Sequence, residues 1–344
     1  MEGRLSAHRR APRLPDVAKL AEVSPGLVSR ILNEDPTLKI RPETRERVMS
    51  AIEMLKYTPH ASARALRSSH TALLGFALHQ VNDPIYADMI ESAQTAAAER
   101  KYSIVMLNAD ALARHDTARA LVHGHRVDGL LIQSGYAPES RGLLDLADAI
   151  PSLVFNASAT PGLRTLRLDD RTAAALATRH LIEAGHTDIA FVGAQGGSTD
   201  RRLQGYLEAL AQHDLAHRPA IIAGWDADSA REATTRYFAD GERPTGIVAV
   251  TSTSALGVHA GVVSAGYSIP DDVSIVGIHD TWFAPHLNPA LTTVMLPLAD
   301  VGRRAVELLL DQIREPTEGE TVLAEPVPEI VERASVGPPP GRLH

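Results

Sequence analysis

Apolar and polar positions change period partway along this chain. Between residues 16 and 33 (DVAKLAEVSPGLVSRILN) the apolar or small positions are Val17, Leu20 and Ala21, then Val28, Ile31 and Leu32, a helical spacing on both sides of a tight turn. Ser24 is a good N-cap, and Pro25 suits the first helical position, where its missing N–H costs nothing. The pattern predicts two short helices, and a third over 42–55 with Val48, Ile52 and Leu55 on one face. From residue 71 strand-like and helix-like runs alternate. Apolar strands are predicted at 72–78, 103–108, 128–132, 152–155, 188–193, 219–223, 246–250, 273–278 and 291–296, with helices between most of them, for example at 86–100, 171–184, 200–213 and 253–265. This alternation predicts an α/β body of parallel sheets with helices on both faces. About ten strands exceed one ordinary sheet, so two lobes are expected.

The helical head carries the first candidate chemistry. Its second helix presents Pro25, Gly26, Ser29 and Arg30 outward while Val28 and Ile31 face in. Small residues at a helix start, with an Arg one turn later, fit a DNA major groove; on these residues alone a hairpin that merely packs is the alternative. Charge sharpens the picture. The chain has 344 residues and a formal net charge of −8, yet residues 1–70 are net basic and the remainder strongly acidic. A basic head on an acidic body suits phosphate contact at one end and repulsion elsewhere.

Downstream, Pro42–Leu55 is followed by Tyr57, Pro59, Ala63, Arg64, Leu66 and Arg67. The run DVAKLAxVSPxxVSRxLN, then ETRERV, then YxPxxxARxLR, resembles the lactose-repressor (LacI/GalR) family of bacterial transcription regulators, and the resemblance extends over about residues 14–335. It implies a three-helix helix-turn-helix domain at 14–56 behind a disordered basic arm at 1–13, and a hinge at 57–70 that orders on DNA against its twin. It also implies a two-lobed periplasmic-binding-protein-like body at 71–335 and a tail at 336–344. Lobe 1 would be 71–168 plus 296–321, and lobe 2 169–293 plus 322–335. Pro25, Gly26 and Arg30 match positions that meet base edges; Ser24 and Ser29 could reach phosphates. Ala63 and Leu66 lie on one face of the hinge, and the matching Leu wedges into the minor groove. Glu22 stands where the family often has Gly or a small residue, and Leu27 where it often has a polar one.

The crossings between lobes imply a cleft at the carboxyl ends of the strands, where α/β proteins place ligands. The expected effector contacts there are Asp83, Tyr86, Gln133, Asn156, Arg202, Trp225, Thr251 and His279. Arg202 lies in the xRxxG(F/Y) helix start and would hold ligand hydroxyls or carboxylate bidentately; Arg201 beside it is read as a surface residue. Thr251-Ser252 replace the usual Asn-Asp before AxG, and His279 replaces the first Asp of the usual Gly-(Phe/Tyr)-Asp-Asp. The pocket thereby loses acidic acceptors and gains a group that can donate or accept.

The resemblance implies a repressor acting as a homodimer on a near-palindromic double-stranded operator, under a small effector, with carbohydrate the leading guess. No cofactor, metal or membrane partner is expected. There is no cysteine, which fits a reducing cytoplasm, and no apolar run reaches the roughly 18 residues of a membrane span. A solute-binding protein would share the body but should carry a signal peptide and lack the head. An enzyme is disfavoured: Gly193-Ala194-Gln195-Gly196-Gly197 fits neither GxGxxG nor GxxxxGK[ST], and neither HExxH nor GxSxG occurs.

Overall fold

A computed structural model of the chain describes residues 12–32, 35, 37–57, 70–114, 120, 122, 124, 126–133, 147, 149–156 and 161–341. These fall into two compact units, divided between Thr71 and Ala72. The head contains α1 (Leu14–Leu20), α2 (Pro25–Leu32) and α3 (Pro42–Leu55). Its core is Val17, Ala18, Ala21, Val28, Ile31, Val48, Ala51 and Tyr57, with Ile52 and Leu55 packed around it. Leu20 keeps the helical spacing but is 46% exposed. Ser24 caps α2 through its Oγ, which accepts from the Leu27 amide at 3.2 Å. The turn between α1 and α2 places Glu22 at φ 54. That is the left-handed region, and it accounts for Gly being common at this position in the family.

The second unit contains two six-stranded sheets. Lobe 1 holds β1 (Leu73–Leu78), α4 (Ala87–Glu99), β2 (Ser103–Asn108), α5 (Ala109–Arg114), β3 (Gly129–Gln133), β4 (Ser152–Phe155) and β5 (Arg164–Leu168). Lobe 2 follows with α6 (Asp170–Glu183), β6 (Ile189–Gly193), α7 (Ser198–Gln212), β7 (Ile221–Ile222), α8 (Ala227–Ala239), β8 (Gly246–Ala249), α9 (Ser252–Ser264), β9 (Ser274–Ile278) and β10 (Thr292–Met295). The chain then returns to lobe 1 for α10 (Leu298–Arg314) and β11 (Gly319–Leu323), and ends in lobe 2 with β12 (Glu329–Val331). The strand orders are β11-β5-β4-β3-β1-β2 and β12-β10-β9-β8-β6-β7. All neighbours run parallel except β10 and β12.

The chain therefore crosses between lobes after β5, after β10 and after β11. The central strands are buried along their length, as parallel strands covered on both faces must be. Strands β5, β11 and β12 were not among those expected. Strands β5 and β11 interrupt their apolar residues with Arg, Glu and Thr, β12 has three residues only, and β11 and β12 are edge strands with one side open. The tail is not loose where it is described: Gly337 donates its N–H to Ser274 Oγ at 3.0 Å and accepts from His186 Nε2 at 2.9 Å.

Candidate functional site

The exposed start of α2 is the candidate nucleic-acid surface. Ser24, Pro25 and Gly26 are exposed and Ser29 is half-buried. Arg30 lies one turn on, with its side chain 48% exposed. Its guanidinium is held by two residues that the sequence reading passed over. Nε donates to Asp35 Oδ2 at 2.7 Å, and Nη2 donates to Thr37 Oγ1 at 3.1 Å. Asp35 also accepts from the Thr37 amide and hydroxyl. These bonds hold its carboxyl down at about 2, Thr37 contributing first and Arg30 next. Asp35 lies five residues beyond Arg30, outside helical periodicity, so spacing gave no sign of it. Ala63 and Leu66, with the rest of residues 58–69, lie outside the described residues, as does most of the 1–13 arm.

In the body, Gln133, Asn156, Thr251 and His279 sit at or just beyond strand ends, while Asp83, Tyr86, Arg202 and Trp225 lie on the loops, turn and helix that follow strands. In lobe 1, β1 leads to Asp83, which caps the short 3-10 turn Pro84–Tyr86 by accepting from the Ile85 amide at 3.2 Å. Gln133, at the end of β3, is fully buried, donates to the Tyr86 hydroxyl, and accepts from the His79 amide at 3.0 Å. Asn156 follows β4 at φ 62. In lobe 2, Trp225 is half-buried on the loop after β7. Thr251 caps α9, with Oγ1 accepting from the Ser254 amide. His279 leaves β9 at φ 73 and is 3% exposed.

Asp170, which the sequence reading did not single out, organises the lobe 2 groups. It is fully buried at the start of α6. Arg201 donates Nε and Nη2 to its Oδ2 at 2.9 and 2.7 Å, and Arg202 donates Nε to its Oδ1 at 2.9 Å. Arg201 is thus no surface residue, since its side chain is only 12% exposed and is drawn inward by the buried carboxylate. The close approach of α6 and α7 makes this possible. A Cβ at Gly205 would stand 2.0 Å from the Arg171 carbonyl oxygen, so only glycine lets the helices meet this closely. This is the physical content of the Gly in the xRxxGY motif.

Arg202 is 2% exposed. Besides Asp170, its guanidinium donates to the Val250 carbonyl and to His279 Nε2, the latter at 2.9 Å. Its Nε, Nη1 and Nη2 thus all donate to protein groups. The His279 pKa is driven well below its ordinary value, by burial first and the Arg202 charge second. Burial raises the Asp83 pKa, against the Ile85 amide and the Thr253 hydroxyl, which lower it. For Asp280, burial acts to raise the pKa and is overcome by hydrogen bonds from Arg333 and Thr293.

Among the described residues, hydrogen bonds cross between the lobes at this level. Thr253 Oγ1 donates to Asp83 Oδ1 at 3.1 Å, and Arg201 Nη2 donates to the Asn156 carbonyl at 3.3 Å. Among the described residues no group of three or more His, Asp or Glu side chains could hold a metal ion. Nor is any helix among them long and apolar enough to cross a membrane.

A helix-turn-helix head joined to a two-lobed body with polar groups at its strand ends defines a class of DNA-binding regulators. Comparison with known proteins agrees. Residues 13–60 match the family described as bacterial regulatory proteins, lacI family, and residues 178–336 match a periplasmic binding protein-like domain. Catabolite control protein A of Priestia megaterium is 32% identical over 321 residues, covering 90% of this chain and 95% of that one. The transcriptional repressor PurR of Vibrio campbellii is 31% identical over 331 residues, covering 94% and 98%. A solved complex of the regulator CelR with cellobiose is 27% identical with a TM-score of 0.70, covering 94% and 99%. The chain belongs to the lacI family of bacterial regulatory proteins, whose members are transcriptional regulators, not enzymes.

Proposed function

We propose that this chain is a cytoplasmic transcriptional repressor. It binds a near-palindromic double-stranded operator as a homodimer and changes its operator affinity when a small effector enters between the lobes. The observation that carries the reading is the open, capped start of α2, where Ser24, Pro25 and Gly26 are exposed and Arg30 is held one turn behind them. Arg30 would donate to a guanine edge, Ser24 and Ser29 would reach phosphates, and the hinge at 57–70 would bring Ala63 and Leu66 to the minor groove. Two-fold operators require two heads, hence the dimer. The effector would contact Asp83, Tyr86, Gln133, Asn156, Trp225, Thr251 and His279, with Arg202 acting through His279 and Asp170. The naming of relatives as a repressor and as a cellobiose complex supports a repressor with a sugar or sugar-derived effector.

Effector control would work through the bonds that cross between the lobes, since a ligand that favours one lobe arrangement shifts the equilibrium between arrangements. The test is recovery of genomic fragments bound by the purified protein at near-physiological salt, followed by sequencing. Enrichment of one near-palindromic site upstream of an operon is expected. Binding without sequence preference would refute specific operator reading.

A further inference from the structure

Among the described residues, four of the buried polar side-chain atoms left without partners in lobe 2 lie at one end of its sheet, while those of His180, Thr234 and His259 lie along α6, α8 and α9. Thr199, Ser252, His279 and Thr281 are 3%, 0%, 3% and 8% exposed. Thr199 Oγ1, Ser252 Oγ, His279 Nδ1 and Thr281 Oγ1 all lack a hydrogen-bond partner. Thr199 stands in the first turn of α7 after β6, Ser252 in the first turn of α9 after β8, and His279 and Thr281 on the segment leaving β9. Polar groups buried without partners are costly and uncommon, and four at the carboxyl ends of adjacent strands lie where α/β sheets take ligands.

The chemical sense of the His279 group is set by its other nitrogen. Arg202 Nη2 lies 2.9 Å from Nε2. A guanidinium can only donate, so Nε2 must offer its lone pair, and the neutral ring carries its proton on Nδ1. The unpartnered atom is therefore a donor. The carboxylates nearby are already engaged. Asp170 takes Arg201 and Arg202, Asp280 takes Arg333 and Thr293, and Asp83 takes the Ile85 amide and the Thr253 hydroxyl.

Resting on the reading of this cleft as the effector site, we propose that its ligand is anionic and presents a carboxylate or phosphate oxygen to the Nδ1–H of His279. The Ser252 and Thr281 hydroxyls are further donors to the same group. A neutral polyol fits less well, because each of its oxygens brings a proton that needs an acceptor, and Asp170 and Asp280 have both carboxylate oxygens engaged within the protein.

The test uses the full-length protein and its recovered operator. A small-molecule cell extract is split on an anion-exchange resin into neutral and acidic fractions, with gluconate and glucose 6-phosphate as defined probes at matched ionic strength. Thermal midpoint and operator affinity are read for each. The acidic fraction is expected to raise the midpoint and change operator affinity at least tenfold, and the neutral fraction to do neither. Phosphatase treatment of the active fraction distinguishes phosphate from carboxylate.

His279→Asp replaces the donor with a like charge and should weaken the response about tenfold to a hundredfold. His279→Asn keeps an N–H near the Nδ1 position, tolerates the positive φ, and should retain most of it. If His279→Asp fails to fold, Ser252→Ala serves as the second variant, with a severalfold loss toward the acidic fraction alone. A response to the neutral fraction alone, or an undiminished acidic response in every variant that folds, overturns the inference and leaves the regulator reading intact. Silence of both fractions with operator binding intact overturns the effector reading and the inference together.

Discussion

Asp170→Asn is the sharpest test of how the body is held together. The substitution keeps the shape of the side chain and removes its charge. Asp170 is fully buried, Arg202 is 2% exposed, and the Arg201 side chain is 12% exposed. In the native chain the carboxylate accepts from both guanidiniums at 2.7–2.9 Å. At an effective dielectric near 20, an ion pair at about 4 Å is worth about 4 kcal/mol of attraction. Most of that attraction offsets desolvation, so the pair adds little net stability while intact. Removing one partner exposes the whole desolvation term, because Arg202 cannot reach water. The expected loss is about 3–5 kcal/mol, which for a body of this size lowers the thermal midpoint by about 6–20 °C. Differential scanning calorimetry of the full chain reads it, with chemical denaturation as a second route. The companion variant Arg202→Met should recover at least about 1 kcal/mol in the Asp170→Asn background relative to additivity, because it removes the stranded charge. A loss under about 1 kcal/mol for Asp170→Asn, or strict additivity in the double variant, would refute the account of Asp170 as the common anchor of both arginines.

Arg30→Ala should lower specific operator affinity by about 1–3 kcal/mol while changing affinity for random DNA much less, as read by competition binding at fixed salt; an equal loss on both would remove Arg30 from base reading. Glu22→Gly should stabilise the head by about 0.5–1 kcal/mol, since φ 54 is unfavourable for any residue with a Cβ, and slower hydrogen exchange in α1 and α2 would register it. Gly205→Ala should cost about 1–3 kcal/mol, because the new methyl meets the Arg171 carbonyl at 2.0 Å; an unchanged midpoint would mean that α6 and α7 separate freely. Burial lowers the pKa of His186, His259 and His279. Each is neutral in both folded and unfolded states above about pH 6.5. Below that the unfolded chain takes up protons first, so stability should fall with falling pH, by up to about 1.4 kcal/mol per unit for each histidine, until the folded-state pKa is reached. A midpoint that holds steady from pH 7.5 to 5 would contradict this.

The elements most readable in the sequence are those whose signals are local. Ser24 and Pro25 announce the start of α2, and the helices expected at 171–184 and 253–265 lie within a residue of Asp170–Glu183 and Ser252–Ser264. Strands β3, β4, β6, β8 and β9 stand out because covered parallel strands are continuously apolar. Strand β5 reads as RTLRL, and its apolar positions alternate with Arg residues, one of which pairs with Glu320 on β11; that pairing exists only once the strands are side by side. The site divides in the same way. Asp83, Gln133, Asn156, Thr251 and His279 could be proposed because strand ends are visible in sequence. Asp170 could not, since an Asp beginning a helix after another Asp reads as ordinary capping, and its two partners lie 31 and 32 positions away. Arg202 fits a ligand clamp by type and place; what the sequence did not show is that its Nε, Nη1 and Nη2 also donate to Asp170, Val250 and His279.

The cluster also holds the backbones of two residues that sit in the left-handed region, which Asn and His enter more readily than most residues with a Cβ. Asn156 ends β4 at φ 62 and His279 ends β9 at φ 73, one in each lobe. A left-handed residue with a Cβ costs on the order of 1 kcal/mol and persists where its surroundings over-determine it. Both are held from Asp170. Arg201 bridges from Asp170 to the Asn156 carbonyl, and Arg202 bridges from Asp170 to the His279 ring. His279 is fixed a second time by its amide, which donates to the Val294 carbonyl on β10. Asp170 itself begins α6 immediately after the first crossing between lobes. A relative movement of the lobes would therefore pull on Arg201 against Asn156, while Arg202 keeps His279 oriented within lobe 2. The two arginines, adjacent in sequence, have different mechanical duties: one spans the lobes and the other fixes the His279 ring. Arg201→Lys should loosen the interlobe contact while leaving the His279 orientation in place, whereas Arg202→Lys should alter effector selectivity first, because a lysine cannot hold Asp170, Val250 and His279 from one planar fork. Effector binding and operator release measured side by side for the two variants separate these duties, and identical profiles would refute the division.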